Sequence, residues 1–190
     1  MGKLSAYVWR SNVVTSDDLL RRLRRMEDRA ELRDLADRYC LAIDDSDWAA
    51  LLGMFTEDAE MAGVTGREQV VGLLRQIRSG YGRTIHTAIA QTLTFGEGGD
   101  DDHASGVIAS RAELAIAGQT VLSAMRYFDQ YTRVNGEWRF ASRTLRFSYA
   151  LPWPDMAGAL TADRPVHWPG TDALPADTLP ANTSNAASPA

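Results

Sequence analysis

A single cysteine, Cys40, occurs in a chain of 190 residues, which excludes an intrachain disulfide and any zinc motif built on paired cysteines. Histidine is nearly as scarce. Only His86, His103 and His167 are present, and no spacing of His, Asp and Glu suggests a preformed metal site. No apolar run approaches the roughly 18 residues of a membrane span. The chain also lacks a glycine-rich phosphate loop and a Gly-x-Ser-x-Gly elbow. Positive charge is in deficit, with a formal net charge of -5, so neither nucleic acid nor an anionic membrane is favoured as a partner. The one basic cluster, RRLRRMEDR at Arg21 to Arg29, is interleaved with Leu and followed by acids, and reads as the solvated face of a helix. The opening MGKLSAYVWRSNVV has two basic residues, no sustained apolar core and no small-residue cleavage site. No signal peptide is assigned and the expected compartment is the cytoplasm. No cofactor is expected, and no internal repeat is present.

What remains is ordinary globular sequence, long enough for one domain with its own core. Residues 1–15 read as an N-terminal arm. Thr15 and Ser16 are good N-cap residues, and Asp17 and Asp18 follow where a helix dipole prefers negative charge. From Leu19 to Ile43 apolar residues recur at helical spacing. Ser46 or Asp47 can cap a second short helix, DWAALLGMF, and a brief strand and turn surround Ala59 to Val64. A third helix, REQVVGLLRQIRS, stops at Gly80 and Gly82. Beyond Gly82 four segments rich in β-branched and aromatic residues alternate with turn signals, of which GEGGDDD and the Asn-Gly pair of VNGE are the clearest. Helices followed by a meander of four long antiparallel strands define an α+β domain over residues 16–150. Residues 151–190 form a Pro- and Ala-rich extension expected to be partly disordered, with the part around Trp153 and Trp168 able to pack on the domain.

Three aspartates close the first helix in YCLAIDDSDW. Steps of four residues keep nearly one face, so Ala36, Cys40 and Asp44 share a stripe flanked by Leu32 and Ile43. Asp45 is rotated toward solvent and Asp47 sits where a cap belongs. Asp44 is then either a partly exposed acid at a fraying helix end or a carboxylate facing a cavity, where it needs a partner. His103 in its polar turn and His167 in the Pro-rich tail are expected to be exposed. His86, in RTIHTAIA, is the one histidine inside a strand, sharing its face with Ala88 and Ala90. It reads either as a core histidine satisfied by backbone or as a base oriented by a carboxylate. Cys40, on the apolar stripe, reads as structural.

The succession LADRYCLAIDDSDWAALLGMFTEDAEM, TGREQVVGLL, TIHTAIAQTLTF and MRYFDQYTRVNGEWRFASRTLRF closely resembles the SnoaL-like branch of the nuclear-transport-factor-2-like superfamily over roughly residues 28–150. The resemblance implies a cone-shaped α+β barrel in which a curved antiparallel sheet and three helices enclose a deep pocket. That superfamily includes dehydratases, a dehydrochlorinase, isomerases, polyketide cyclases, an epoxide hydrolase and members with no chemistry, so fold alone does not fix activity. The dehydratase and dehydrochlorinase members use an Asp–His dyad, and Asp44 and His86 fall at the matching motif positions. An arginine in the last strand lines the dehydrochlorinase site, and Arg143 in ASRTL matches it. Scytalone dehydratase differs in having a tyrosine where this chain has Ile43, and a second active-site histidine for which this chain offers no counterpart.

The expectation is therefore a cofactor-free lyase acting on a small, largely apolar organic molecule. His86 serves as general base, Asp44 orients it, and Arg143 holds developing negative charge. Arg143 reads equally well as a surface strand residue paired with Glu137 or Asp129. Tyr39, Trp48, Met125 and Tyr127 are candidate pocket walls, each also readable as core. Two alternatives stand beside this one: an isomerase or polyketide cyclase with Asp44 as the base, and a non-catalytic module that binds a small ligand or dimerises. A homodimer or homotrimer is expected from the resemblance.

Overall fold

In the computed structural model, which describes residues 15–96 and 100–177, Thr15 opens the first helix with a reciprocal cap. Its hydroxyl accepts from the Asp18 amide at 3.1 Å, and the Asp18 carboxylate accepts from the Thr15 amide at 3.4 Å, satisfying two of the orphan donors at a helix start. The expected N-terminal arm, the tip of the GEGGDDD turn and the end of the C-terminal extension lie outside the described residues. Helix α1, Ser16–Asp45, buries Leu32, Leu35, Ala36, Tyr39, Cys40, Ala42 and Ile43 on one stripe. Its first turns carry the apolar period past the edge of the core, because Leu19, Leu20, Leu23 and Met26 are all exposed. Ser46 ends the helix in the left-handed region, φ 58°. Asp47 then caps helix α2, Trp48–Met54, by accepting from the Ala50 amide at 3.0 Å.

Strand β1, Phe55–Met61, turns into the two-residue β2, Val64–Thr65, and helix α3 spans Arg67–Arg78. Four long strands follow: β3, Tyr81–Phe95; β4, His103–Ile116; β5, Gln119–Val134; and β6, Glu137–Pro152. The Asn-Gly signal is realised as a two-residue hairpin, with Asn135 at φ 54° and Gly136 at φ 85° between paired Val134 and Glu137, the backbone of a type I′ turn. Ala117 and Gly118 make the same kind of turn between β4 and β5, again with both φ positive.

All six strands belong to one sheet. Its strand order is β2-β1-β6-β5-β4-β3, and the four-strand meander is antiparallel throughout, but β1 joins β6 in parallel. The result is a curved, mixed, six-stranded sheet that does not close, with β2 and β3 at its edges. Register shifts lie within β3 between Ala88 and Ala90, and between β5 and β6 at Ala124/Met125 and Gln130/Tyr131. Such bulges bend a strand and increase its twist, so the sheet wraps around α1. Asp28 fastens that helix to the last hairpin: its carboxylate accepts from the Arg133 guanidinium and, at 3.2 Å, from Trp138 Nε1. Leu32, Leu35, Leu51, Phe55, Val70, Val121 and Phe140 lie at the centre of one core, each contributing about 1.5–3 kcal/mol by burial. No described helix is long and apolar enough to cross a membrane.

The chain does not leave the domain at Pro152. A short 3-10 helix, Trp153–Gly158, leads to a segment that returns along β6. Ala150 pairs with Val166, and Val166 pairs with Leu174. His167 is consequently half-buried, not exposed as expected, with its amide donating to the Ala150 carbonyl at 2.7 Å. Trp168 stacks edge-on against Phe147, 5.2 Å between centroids, whereas Trp153 stays exposed.

Candidate active site

Asp44 comes from the last turn of α1 and meets the start of β3. Its Oδ1 lies 2.6 Å from His86 Nδ1 and accepts from the Thr84 hydroxyl at 2.7 Å, while Oδ2 accepts from the His86 amide at 2.8 Å. Alternation along β3 turns Thr84, His86 and Ala88 inward. The bulge after Ala88 then reverses the phase, so Gln91, Leu93 and Phe95 are the next inward residues and Ala90 is exposed rather than beside the histidine. A one-residue slip has this effect on every side chain beyond it. A carboxylate only accepts, so the hydrogen shared with Asp44 sits on Nδ1. In the neutral ring the lone pair is then on Nε2, which has no protein partner among the described residues.

His86 lines a cavity of about 350 Å³, toward the small end of ligand-site volumes. Tyr39, Ile43, Met125 and Tyr127 line it, as do Ala112, Leu114, Ser123, Leu145, Phe147 and Trp168. Of the expected pocket walls Tyr39, Met125 and Tyr127 are therefore in place. Trp48 is not part of the lining; it is half-buried against the core, with the Arg75 guanidinium 5.4 Å from its ring. A larger depression, about 840 Å³, opens to solvent between α1 and Gly136–Trp138, but no histidine lines it.

Arg143 also differs from its expected placement. It is neither at the surface nor in the cavity lining. It is fully buried and donates through Nε and Nη2 to both carboxylate oxygens of Asp129, at 2.8 and 2.9 Å. The two residues face each other across β5 and β6, and Tyr131 donates to the same carboxylate at 2.8 Å. The guanidinium carbon lies 4.1 Å from the Tyr39 ring, 4.2 Å from Tyr127 and 4.0 Å from Phe140. Burial opposes its charge, but Asp129 more than restores it, so Arg143 stays cationic. Burial, with Tyr39 close by, pushes the Tyr127 phenol well above its ordinary value against the pull of Arg143. Tyr127 therefore enters the cavity as a neutral hydroxyl.

Sequence reasoning missed Thr84, Ser123 and Arg78; Trp168 packs on the domain as expected, but its place in the cavity lining was not foreseen. Ser123 is buried, and its hydroxyl has no partner among the described residues; its inward facing on β5 is legible from alternation with Val121 and Met125, but nothing local ties it to a cavity. Cys40 lies behind the dyad on the apolar stripe. Burial is the main cause that pushes its thiol up to about 11, with Arg143 opposing and Asp44 assisting. A thiol reagent at pH 8 should thus label native protein far more slowly than unfolded protein; equal rates would place the thiol in a reactive, open setting.

The profile of the SnoaL-like domain matches residues 24–144, more than half of the chain, and the protein belongs to that family. No curated protein matches it in sequence. Among solved structures, LinA superposes with a TM-score of 0.62 at 25% identity, over 68% of this chain and 92% of its own. The hexachlorocyclohexane dehydrochlorinase LinA type 3 of Novosphingobium barchaimii gives 0.61 at 23%, over 68% and 92%. A protein of Novosphingobium aromaticivorans named as a scytalone dehydratase gives 0.62 at 19%, over 78% and 97%. These neighbours share the fold of the nuclear-transport-factor-2-like superfamily and do not specify a reaction for this chain.

Proposed function

We propose that this chain is a cofactor-free lyase in which His86 abstracts a proton from a compact, largely apolar substrate. The observation that carries the reading is the 2.6 Å contact between Asp44 and His86 Nδ1 in the wall of the cavity. Nε2 takes the proton from a C–H next to an activating group. The C–H electron pair becomes the new π bond, and the leaving group departs with the pair that bound it. The imidazolium so formed is stabilised by Asp44, and its proton passes to the leaving group or to water. Ser123 and the neutral Tyr127 phenol are the hydroxyl donors placed to meet charge developing on the substrate.

The dehydrochlorinase and dehydratase named among the structural neighbours support elimination as the reaction class. Asp44 itself is a poor candidate for the base. Three donors already occupy its two oxygens, which weighs against the isomerase or cyclase alternative. The test is a panel of compact C–H acids carrying a β-hydroxyl or β-halide, incubated with the protein in D₂O and followed by NMR. Alkene formation, or deuterium entering the substrate, is the expected result. Saturable binding with neither event across the panel would replace the lyase by a non-catalytic binding module.

A further inference from the structure

Two arginines stand near the dyad in opposite electrostatic states. Arg143 has its side-on edge, Nε and Nη2, filled by Asp129, so its charge is spent inside the protein. Arg78, at the end of α3, is the one Arg or Lys among the described residues lining the cavity, and no acid lines the cavity with it. Among the described residues it has no ion-pair partner. Its Nη1 donates to the carbonyls of Tyr81 at 3.0 Å and Gly82 at 2.6 Å. On the other edge, Nη2 reaches the Asp44 carbonyl only at 3.5 Å, and Nε has no acceptor among the described residues. A guanidinium cannot shed its proton at ordinary pH, and a covered donor without an acceptor is costly. The edge left unfilled is the same one that holds a carboxylate on Arg143.

Its position adds to this. Ile77 is exposed, and Arg78, Tyr81 and Trp168 are half-buried, whereas Tyr39, Ser123, Met125 and Tyr127 are buried. Arg78 thus stands at the mouth of the cavity and the aromatic and apolar side chains form its floor. The geometry points to Arg78 as the subsite for a carboxylate on the substrate, whose apolar body extends inward past His86. This substrate class rests on the cavity being the active site proposed above. Nε is covered in this structure, so side-on binding requires the guanidinium to turn that edge outward. That turn gives up the 3.5 Å contact to Asp44, too long to count as a strong hydrogen bond, and re-aims Nη1 at the Tyr81 and Gly82 carbonyls. An anion at the mouth keeps part of its hydration, which lowers the desolvation cost of bringing it in.

The test compares 2-naphthoate with its uncharged isostere 2-naphthamide by calorimetry on the full chain. Wild type should bind the acid about tenfold or more tightly than the amide, with the preference shrinking as salt rises. Arg78→Gln should lose the preference while its affinity for the amide, an internal check on folding, is unchanged. Arg78→Lys, which keeps the charge but not the fork, should retain a reduced preference. His86→Ala should leave the preference intact, so failure of the proton-abstraction reading and failure of this subsite are separable. Equal affinities in wild type, uptake of neither probe, or a full preference surviving in both Arg78 variants would overturn the assignment.

Discussion

Replacing His86 by alanine should lower kcat/KM for elimination by roughly 10²–10⁴-fold, the usual contribution of a positioned general base. The fold should survive, because the lost side chain is the wall of a cavity and Asp44 keeps two of its three donors, the Thr84 hydroxyl and the amide of residue 86. Asp44→Asn should cost a similar factor for a different reason. A carboxylate forces the shared hydrogen onto Nδ1 and leaves Nε2 basic; an amide can turn its NH₂ toward Nδ1, which protonates Nε2 and removes the lone pair aimed at the substrate. The double variant should then be little worse than either single one, as for residues acting as a unit. A strongly deshielded Nδ1 proton in the NMR spectrum of wild type, absent from both variants, would give a readout independent of turnover. Turnover that persists in His86→Ala but fails in Asp44→Asn would transfer the base to Asp44, and turnover indifferent to both would remove the dyad from the chemistry.

How much of this was legible beforehand follows from the range of each signal. The Thr15 cap, the Asp47 cap and the Asn135–Gly136 hairpin are settled by residues within four positions of one another, and all were readable. The stripe through Ala36, Cys40 and Asp44 was readable too, since a helix that keeps its period carries the facing with it. Strand β3 shows where such reasoning stops. Alternation placed His86 inward correctly, but the bulge after Ala88, which sends Ala90 out and Gln91 in, is decided by how the edge strand bends against β4. The parallel pairing of β1 with β6 has no local trace at all. Neither has the return of Trp168 to the cavity, since the segment carrying it has no period and is held by single bridges to Ala150 and Leu174. Arg78 carries no signal of its own within REQVVGLLRQIRS, and Arg143, which matches a site arginine by resemblance, lies behind the tyrosines. Asp129 stood among its expected partners, but on the surface; strand alternation could not say that the pair would be sealed inside the protein.

The buried pair sets the other large effect. Arg143→Met should destabilise the protein by about 3–5 kcal/mol, because it leaves the Asp129 carboxylate buried without its cation. Urea unfolding would register this as a lower midpoint, with a melting temperature down by about 10 °C. Asp129→Leu should cost a comparable amount by stranding the guanidinium among Tyr39, Tyr127 and Phe140. The Arg143→Met, Asp129→Leu double variant should recover most of the loss, since an apolar pair needs no compensation for desolvated charge. Losses in the single variants below about 1 kcal/mol, or a double variant as unstable as their sum, would mean that the pair is hydrated or otherwise shielded. The recovered double variant also separates stability from function. Arg143 is packed against both phenols of the cavity floor, and a flexible methionine does not fix those rings as a planar, hydrogen-bonded guanidinium does. A variant that folds as well as wild type yet binds substrate more weakly would show that the buried ion pair acts on the site by positioning Tyr39 and Tyr127. Unchanged kinetics would make it a structural element alone.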